Sequence, residues 1–76
     1  MHADHLITMG NQISDFFQSM KNRDEALEQI ANHIRLFWDP RMRRALLAKM
    51  PADGPAPEEM SAVLAEALRR HGSRLA

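Results

Sequence analysis

The chain of 76 residues has room for one domain, and a domain this short buries only about 60% of the surface its unfolded form exposes, so its own core is marginal. It contains no cysteine, which excludes disulfides, thiolate zinc sites and cysteine-ligated iron–sulfur clusters. Ten Lys and Arg balance ten Asp and Glu, and a net charge of zero argues against a dedicated nucleic-acid-binding domain, which is normally strongly basic.

The balance hides an uneven distribution. Residues 1–34 carry Lys21 and Arg23 against Asp4, Asp15, Asp24, Glu25 and Glu28, a net −3. Residues 35–49 carry Arg35, Arg41, Arg43, Arg44 and Lys49 against Asp39, a net +4. The remainder returns to −1, and one basic block between two acidic ones points to a charge-directed contact. The opening Met1-His-Ala-Asp-His5 lacks the basic and apolar regions of a signal peptide. No apolar run approaches the roughly 20 residues of a membrane span, so a soluble chain without membrane contact is expected; the absence of cysteine is compatible with a reducing cytoplasm, the expected location.

Residues 4–20 predict a first helix. Leu6, Met9, Ile13, Phe16, Phe17 and Met20 fall within a face roughly 120° wide at about 100° per residue. Gly10 interrupts it and marks a possible close approach of another backbone, while Ile7 lies off the stripe and is expected to be exposed. After a polar break, Asn22 and Glu25 have the spacing of a capping box and open a second helix over 23–38. Its core stripe is Leu27, Ile30, Ala31, Ile34, Phe37 and Trp38, and Leu36 points the opposite way.

Asp39-Pro40 stops that helix and starts the next, because proline pushes the residue before it out of the helical region and itself suits the first helical position. The third helix is expected over 40–50, with Met42, Leu46 and Met50 as a thin stripe, Leu47 beside it, and Arg41, Arg43 and Arg44 over the rest. Three prolines and a glycine make 51–57 a linker. A fourth helix over 58–72 is predicted to open on Pro57 with Glu58 and Glu59 in its first turn, and to close at His71-Gly72. The last residues, 73–76, are expected to fray. The pattern is all-α: a small bundle of three to four helices, read as a helical core over 1–50, the linker 51–57 and a C-terminal helix, one domain in total.

Little of this carries catalytic chemistry. His2 and His5 flank Asp4, but a metal site needs three or four convergent ligands, and His33 and His71 stand on distant segments. There is no catalytic serine motif and no glycine-rich phosphate loop. The basic block admits two readings: phosphate contacts with Trp38 as a stacking platform, or a protein interface, where arginines and aromatics are enriched. Met9, Met20, Met42, Met50 and Met60 suit adaptable packing surfaces as well as ordinary core filling. Ile7, Leu36 and Leu47, left over from their stripes in so small a domain, favour the protein interface.

Two stretches say more. Leu6-Ile-Thr-Met-Gly-Asn-Gln-Ile-Ser-Asp-Phe-Phe17 and Ile30-Ala-Asn-His-Ile-Arg-Leu-Phe-Trp-Asp-Pro-Arg-Met-Arg-Arg-Ala-Leu-Leu47 resemble the delta subunit of soluble, molybdenum-containing, NAD-dependent formate dehydrogenases. The matching residues are Asn11, Gln12, Ile13, Phe16 and Phe17, then His33, Ile34, Arg35, Phe37, Trp38, Pro40, Met42 and Arg43. The resemblance covers roughly residues 5–48; beyond Met50 it adds nothing.

The resemblance implies a small non-catalytic subunit, without a cofactor of its own, that supports assembly or stability of larger subunits. Those would carry the molybdenum cofactor, iron–sulfur clusters and FMN and would reduce NAD, the molybdenum-bearing subunit being the expected partner. Ile13, Phe16, Phe17, Ile30, Ile34, Phe37, Trp38 and Pro40 are then expected to hold the fold. Arg35, Leu36, Arg41, Arg43, Arg44 and Leu47 are expected to meet the partner. The alternative is a free-standing nucleic-acid-binding or adaptor module that uses the basic block 35–49.

Overall fold

Three of the four helices begin where a polar side chain takes up a free backbone amide of the first turn. A computed structural model describes the backbone of residues 3–76 and the side chains of residues 5–76. Helix α1 spans Ala3–Phe17, α2 Arg23–Phe37, α3 Pro40–Leu47 and α4 Ala62–His71, followed by a single 3-10 turn over Gly72–Arg74. The Asn22 Oδ1 accepts from the Glu25 amide at 3.0 Å, that of Asp39 from Met42 at 2.9 Å, and the Ser61 hydroxyl from Leu64 at 3.1 Å. Each satisfies one of the amides that a helix start leaves unpaired. The fold is all-α, and among the described residues no helix is long and apolar enough to cross a membrane.

Helix α4 starts four residues later than its sequence suggests. Pro57 to Met60 closes as a turn, with the Met60 amide bonding to the Pro57 carbonyl at 3.0 Å, so Glu58 and Glu59 lie outside the helix. Asn11 of α1 fixes the start from 50 residues away: its Oδ1 accepts from the Ser61 amide at 2.8 Å. Its Nδ2 donates to the Glu59 carbonyl at 2.7 Å. The C-terminal end also differs from expectation. Gly72 is right-handed, at φ −58°, and continues into the 3-10 turn, which delivers Leu75 into the core with no exposure at all. The tail is therefore anchored by an apolar side chain.

Helix α2 is the axis of the bundle. Leu27, Ile30 and Ile34 are fully buried, and their face makes its most extensive seam with Leu64, Ala67 and Leu68 of α4. Leu6 and Ile7 of α1 and Leu46 of α3 complete the core. Across the outer edge of the α2–α4 seam, the Glu66 carboxylate accepts from the Arg23 Nε at 2.9 Å and pairs with Arg70 at 2.9 Å, while Arg70 also reaches Asp24. Helix α4 is thus an integral wall of the core rather than an appendage to residues 1–50.

Helix α1 buries a different face from its most apolar one. The buried residues are Leu6, Ile7, Gly10 and Ser14, so Ile7, expected at the surface, is 2% exposed. At about 100° per residue that arc is centred roughly 90° from the stripe of Met9, Ile13, Phe16 and Phe17. Small residues decide the choice. A Cβ on Gly10 would lie 2.7 Å from a methyl of Leu64, so α1 can approach α4 this closely only where it lacks a side chain. The buried Ser14 hydroxyl is satisfied within the helix, donating to the Gly10 carbonyl at 3.0 Å.

Candidate functional site

The consequence of that rotation is an apolar surface that the fold does not cover. Helix α1 turns its aromatic residues toward the C-terminal end of α2, beyond the span that α4 protects. Phe16, Leu36 and Phe37 are 75%, 71% and 73% exposed. Phe16 and Phe37, expected in the core, are therefore surface residues. Phe17 and Ile13 are half-buried, whereas Ile30, Ile34 and Trp38 lie inside.

These residues form a groove. Met9, Gln12, Ile13, Phe16 and Phe17 from α1, with His33 and Trp38 from α2 and its end, line a depression of about 430 Å³. Three rings of the groove and Phe37 beside it form a row. Phe16 stands edge-on to Phe17 with centroids 5.0 Å apart, Phe17 is 6.2 Å from His33, and His33 is 4.7 Å from Phe37. Edge-to-face and tilted contacts at these separations are the arrangements aromatic quadrupoles favour. His33, which periodicity left without a role, is the centre of the row.

A second groove, of about 820 Å³, lies beside α3. It is lined by Leu6, Asp39, Pro40, Arg41, Met42, Arg44 and Ala45. The two depressions share no lining residue but are neighbours: Leu6 is one helical turn before Met9 on α1, and Asp39 follows Trp38 directly at the turn between α2 and α3. Pro40 is exposed and acts by setting that turn, not by filling the core.

The basic residues divide in two. Arg43 is part of the fold: its Nη1 donates to the Arg35 carbonyl at 2.9 Å, and its half-buried side chain has a sequestered Nε. A helix leaves its last carbonyls unpaired, and a cation is the natural donor at that negative end. Leu47 is likewise half-buried, packed on the core beside Gly72. Neither is available to a partner in the way its sequence position implied. Arg35, Arg41, Arg44 and Lys49 are exposed, and among the described residues their side chains meet no carboxylate.

A stacking role for Trp38 is excluded by burial, since only 7% of the residue is exposed and its ring forms the groove floor. Among the described residues no group of three or more His, Cys, Asp or Glu side chains could hold a metal; His2 lies outside them. The arrangement is a pair of neighbouring grooves, one aromatic and one cationic, each with a methionine in its lining. Sequence periodicity missed it because it equates the most apolar helix face with the buried one. The signal that could have found it is the pair Gly10 and Ser14, small residues one turn apart that mark where another helix packs closely.

The family model described as NADH-dependent formate dehydrogenase delta subunit matches residues 5–72. No curated protein and no solved structure matches the chain.

Proposed function

We propose that this chain, which belongs to the family of NADH-dependent formate dehydrogenase delta subunits, serves as a non-catalytic subunit that stabilises the molybdenum-bearing subunit of such a complex in the cytoplasm. The observation that carries the proposal is the uncovered aromatic groove. Phe16 in the groove and Phe37 beside it stand more than two-thirds exposed on a 76-residue domain, a surface that is costly in water and that a partner would bury. Aromatic anchors of this kind typically dominate the energy of protein interfaces.

In this reading the redox groups, namely the molybdenum cofactor, iron–sulfur clusters and FMN, reside on the larger subunits, which transfer electrons from formate to NAD. The chain's composition fits that division: without cysteine it has no thiolate to offer an iron–sulfur cluster. Its contribution is to cover and order a surface of its neighbour. A partner that binds the folded state of another subunit stabilises it by mass action, by about 2.7 kcal/mol at a hundredfold excess over Kd.

The test is to purify a tagged chain from its native cells and identify the co-purifying proteins by mass spectrometry. The expected result is a molybdenum-containing subunit at one-to-one stoichiometry in the active enzyme. Recovery of no large redox subunit overturns the proposal. Presence during assembly but absence from the active complex would replace a resident subunit with a transient assembly factor.

A further inference from the structure

Which kind of surface fits the two grooves can be read from their chemistry. Resting on the subunit reading above, we infer that the two neighbouring grooves seat a single segment of the larger subunit, apolar at one end and carrying two or more carboxylates at the other. The apolar end lies in the aromatic groove between Phe16 and Phe37, and the acidic end lies between Arg41 and Arg44.

Charge complementarity selects this occupant. Arg23, Arg70 and Arg74 are matched internally by Asp24, Glu28 and Glu66. Arg41 and Arg44 line their groove without a carboxylate partner among the described residues, although Asp39 sits beside them. The Asp39 Oδ1 is engaged in capping α3. The groove therefore holds two guanidinium groups whose planar donor forks match carboxylates. Asp15 does not compensate them, since on α1 it falls outside the arc that faces the grooves.

The same charge argues against a second copy of this chain. A self-complementary contact through this face would offer the arginines only the same aromatic and cationic residues and the Asp39 that already caps α3, leaving the guanidinium groups of both copies without new carboxylates. One continuous segment is favoured because the grooves are neighbours, with Asp39 of one next to Trp38 of the other and Leu6 one turn from Met9. Leu6 and Phe16 are about 15 Å apart along α1, a span covered by about ten helical or five extended residues. Met42 and Met9, in the two grooves, give the passage between them an adaptable lining.

The experiment adds purified chain back to the formate dehydrogenase complex isolated from cells that lack it, and measures affinity at low and high salt. Wild type is expected to bind. The double variant Phe16→Ser/Phe37→Ser should lose about a hundredfold or more in affinity at either salt, as removal of two aromatic anchors does. Arg41→Glu/Arg44→Glu should lose at least about tenfold near 0.05 M salt and far less near 0.5 M, where exposed charges are screened. A benzophenone photo-crosslinker placed at position 37 and, separately, at position 44 should capture the same peptide of the large subunit, with its Asp or Glu residues nearest position 44.

If wild type binds but the charge-reversed variant shows the same affinity and salt dependence, the inference fails and the subunit reading stands. Crosslinks from the two positions to different segments, or to another copy of this chain, also overturn the inference alone. Failure of wild type to bind the complex overturns both. Circular dichroism and melting of the free variants, whose changed residues are all exposed, separate lost docking from lost folding.

Discussion

The two long sides of α2 are treated oppositely. Toward α4 it meets a complementary helix: leucine and isoleucine interlock with leucine and alanine, and a carboxylate shared by two arginines seals the edge. Toward the end of α1 it meets aromatic rings that stack on one another and then stop, with two phenylalanines left in water. Both sides are rich in apolar side chains, so hydrophobicity alone does not distinguish them. What distinguishes them is closure. The first seam is complete within the chain, and the second ends in exposed rings.

The largest expected effect tests the closed side. Leu64 is fully buried and its methyl groups lie against Gly10. Leu64→Ala should cost about 3 kcal/mol through lost burial and the cavity left behind. A domain of this length has a total stability on the order of 4–11 kcal/mol, so the substitution removes a large share. Urea unfolding should show a lower midpoint at unchanged slope. A loss below about 1 kcal/mol would mean that α4 is held less firmly than its burial indicates.

A contrast among the arginines comes next. Arg43→Met should destabilise the free chain by about 1–2 kcal/mol, because it leaves an α2 carbonyl without its charged donor. Arg41→Ala should stay within about 0.5 kcal/mol, as expected of an exposed residue outside the network. Thermal melting of both variants checks the distinction. Equal midpoints would return Arg43 to the exposed basic surface.

Local chemistry made much of the fold legible from sequence. Asn22 and Asp39 cap helices with their own neighbours, so the starts of α2 and α3 could be read within four residues, and the buried stripe Leu27, Ile30, Ile34 follows from helical period alone. Where a distant residue decides, sequence reading failed. The start of α4 depends on Asn11, the buried arc of α1 depends on the fit of Leu64 against Gly10, and Leu75 is pulled inward by a core that periodicity cannot assemble. The candidate site suffered most for the same reason. Phe16 and Phe37 lie on apolar stripes like any core residue, and only the end of α4's coverage leaves them outside.

The ion pairs that seal the closed side should matter less than their number implies. Glu66 is shared by Arg23 and Arg70, with 28% of its side chain exposed. Glu66→Gln should cost about 0.5–1 kcal/mol, toward the upper end for a surface pair because the three groups act together. The difference from wild type should shrink in molar salt, where the screening length is about 3 Å. A cost of several kcal/mol, insensitive to salt, would make electrostatics rather than packing the main attachment of α4.

The smallest expected change bears most directly on the comparison. Phe37→Ala in the free chain removes a ring that is 73% exposed and touches His33 on one side. The lost ring contact should be largely offset by the better helix propensity of alanine in the last turn of α2, leaving stability within about 0.5 kcal/mol of wild type. A residue of this size that can be deleted without consequence for folding is retained for another purpose. Melting of the free chain decides the point. If the midpoint instead falls as far as in Leu64→Ala, the aromatic row is a closed part of the core, and the open side of α2 needs no partner to explain it.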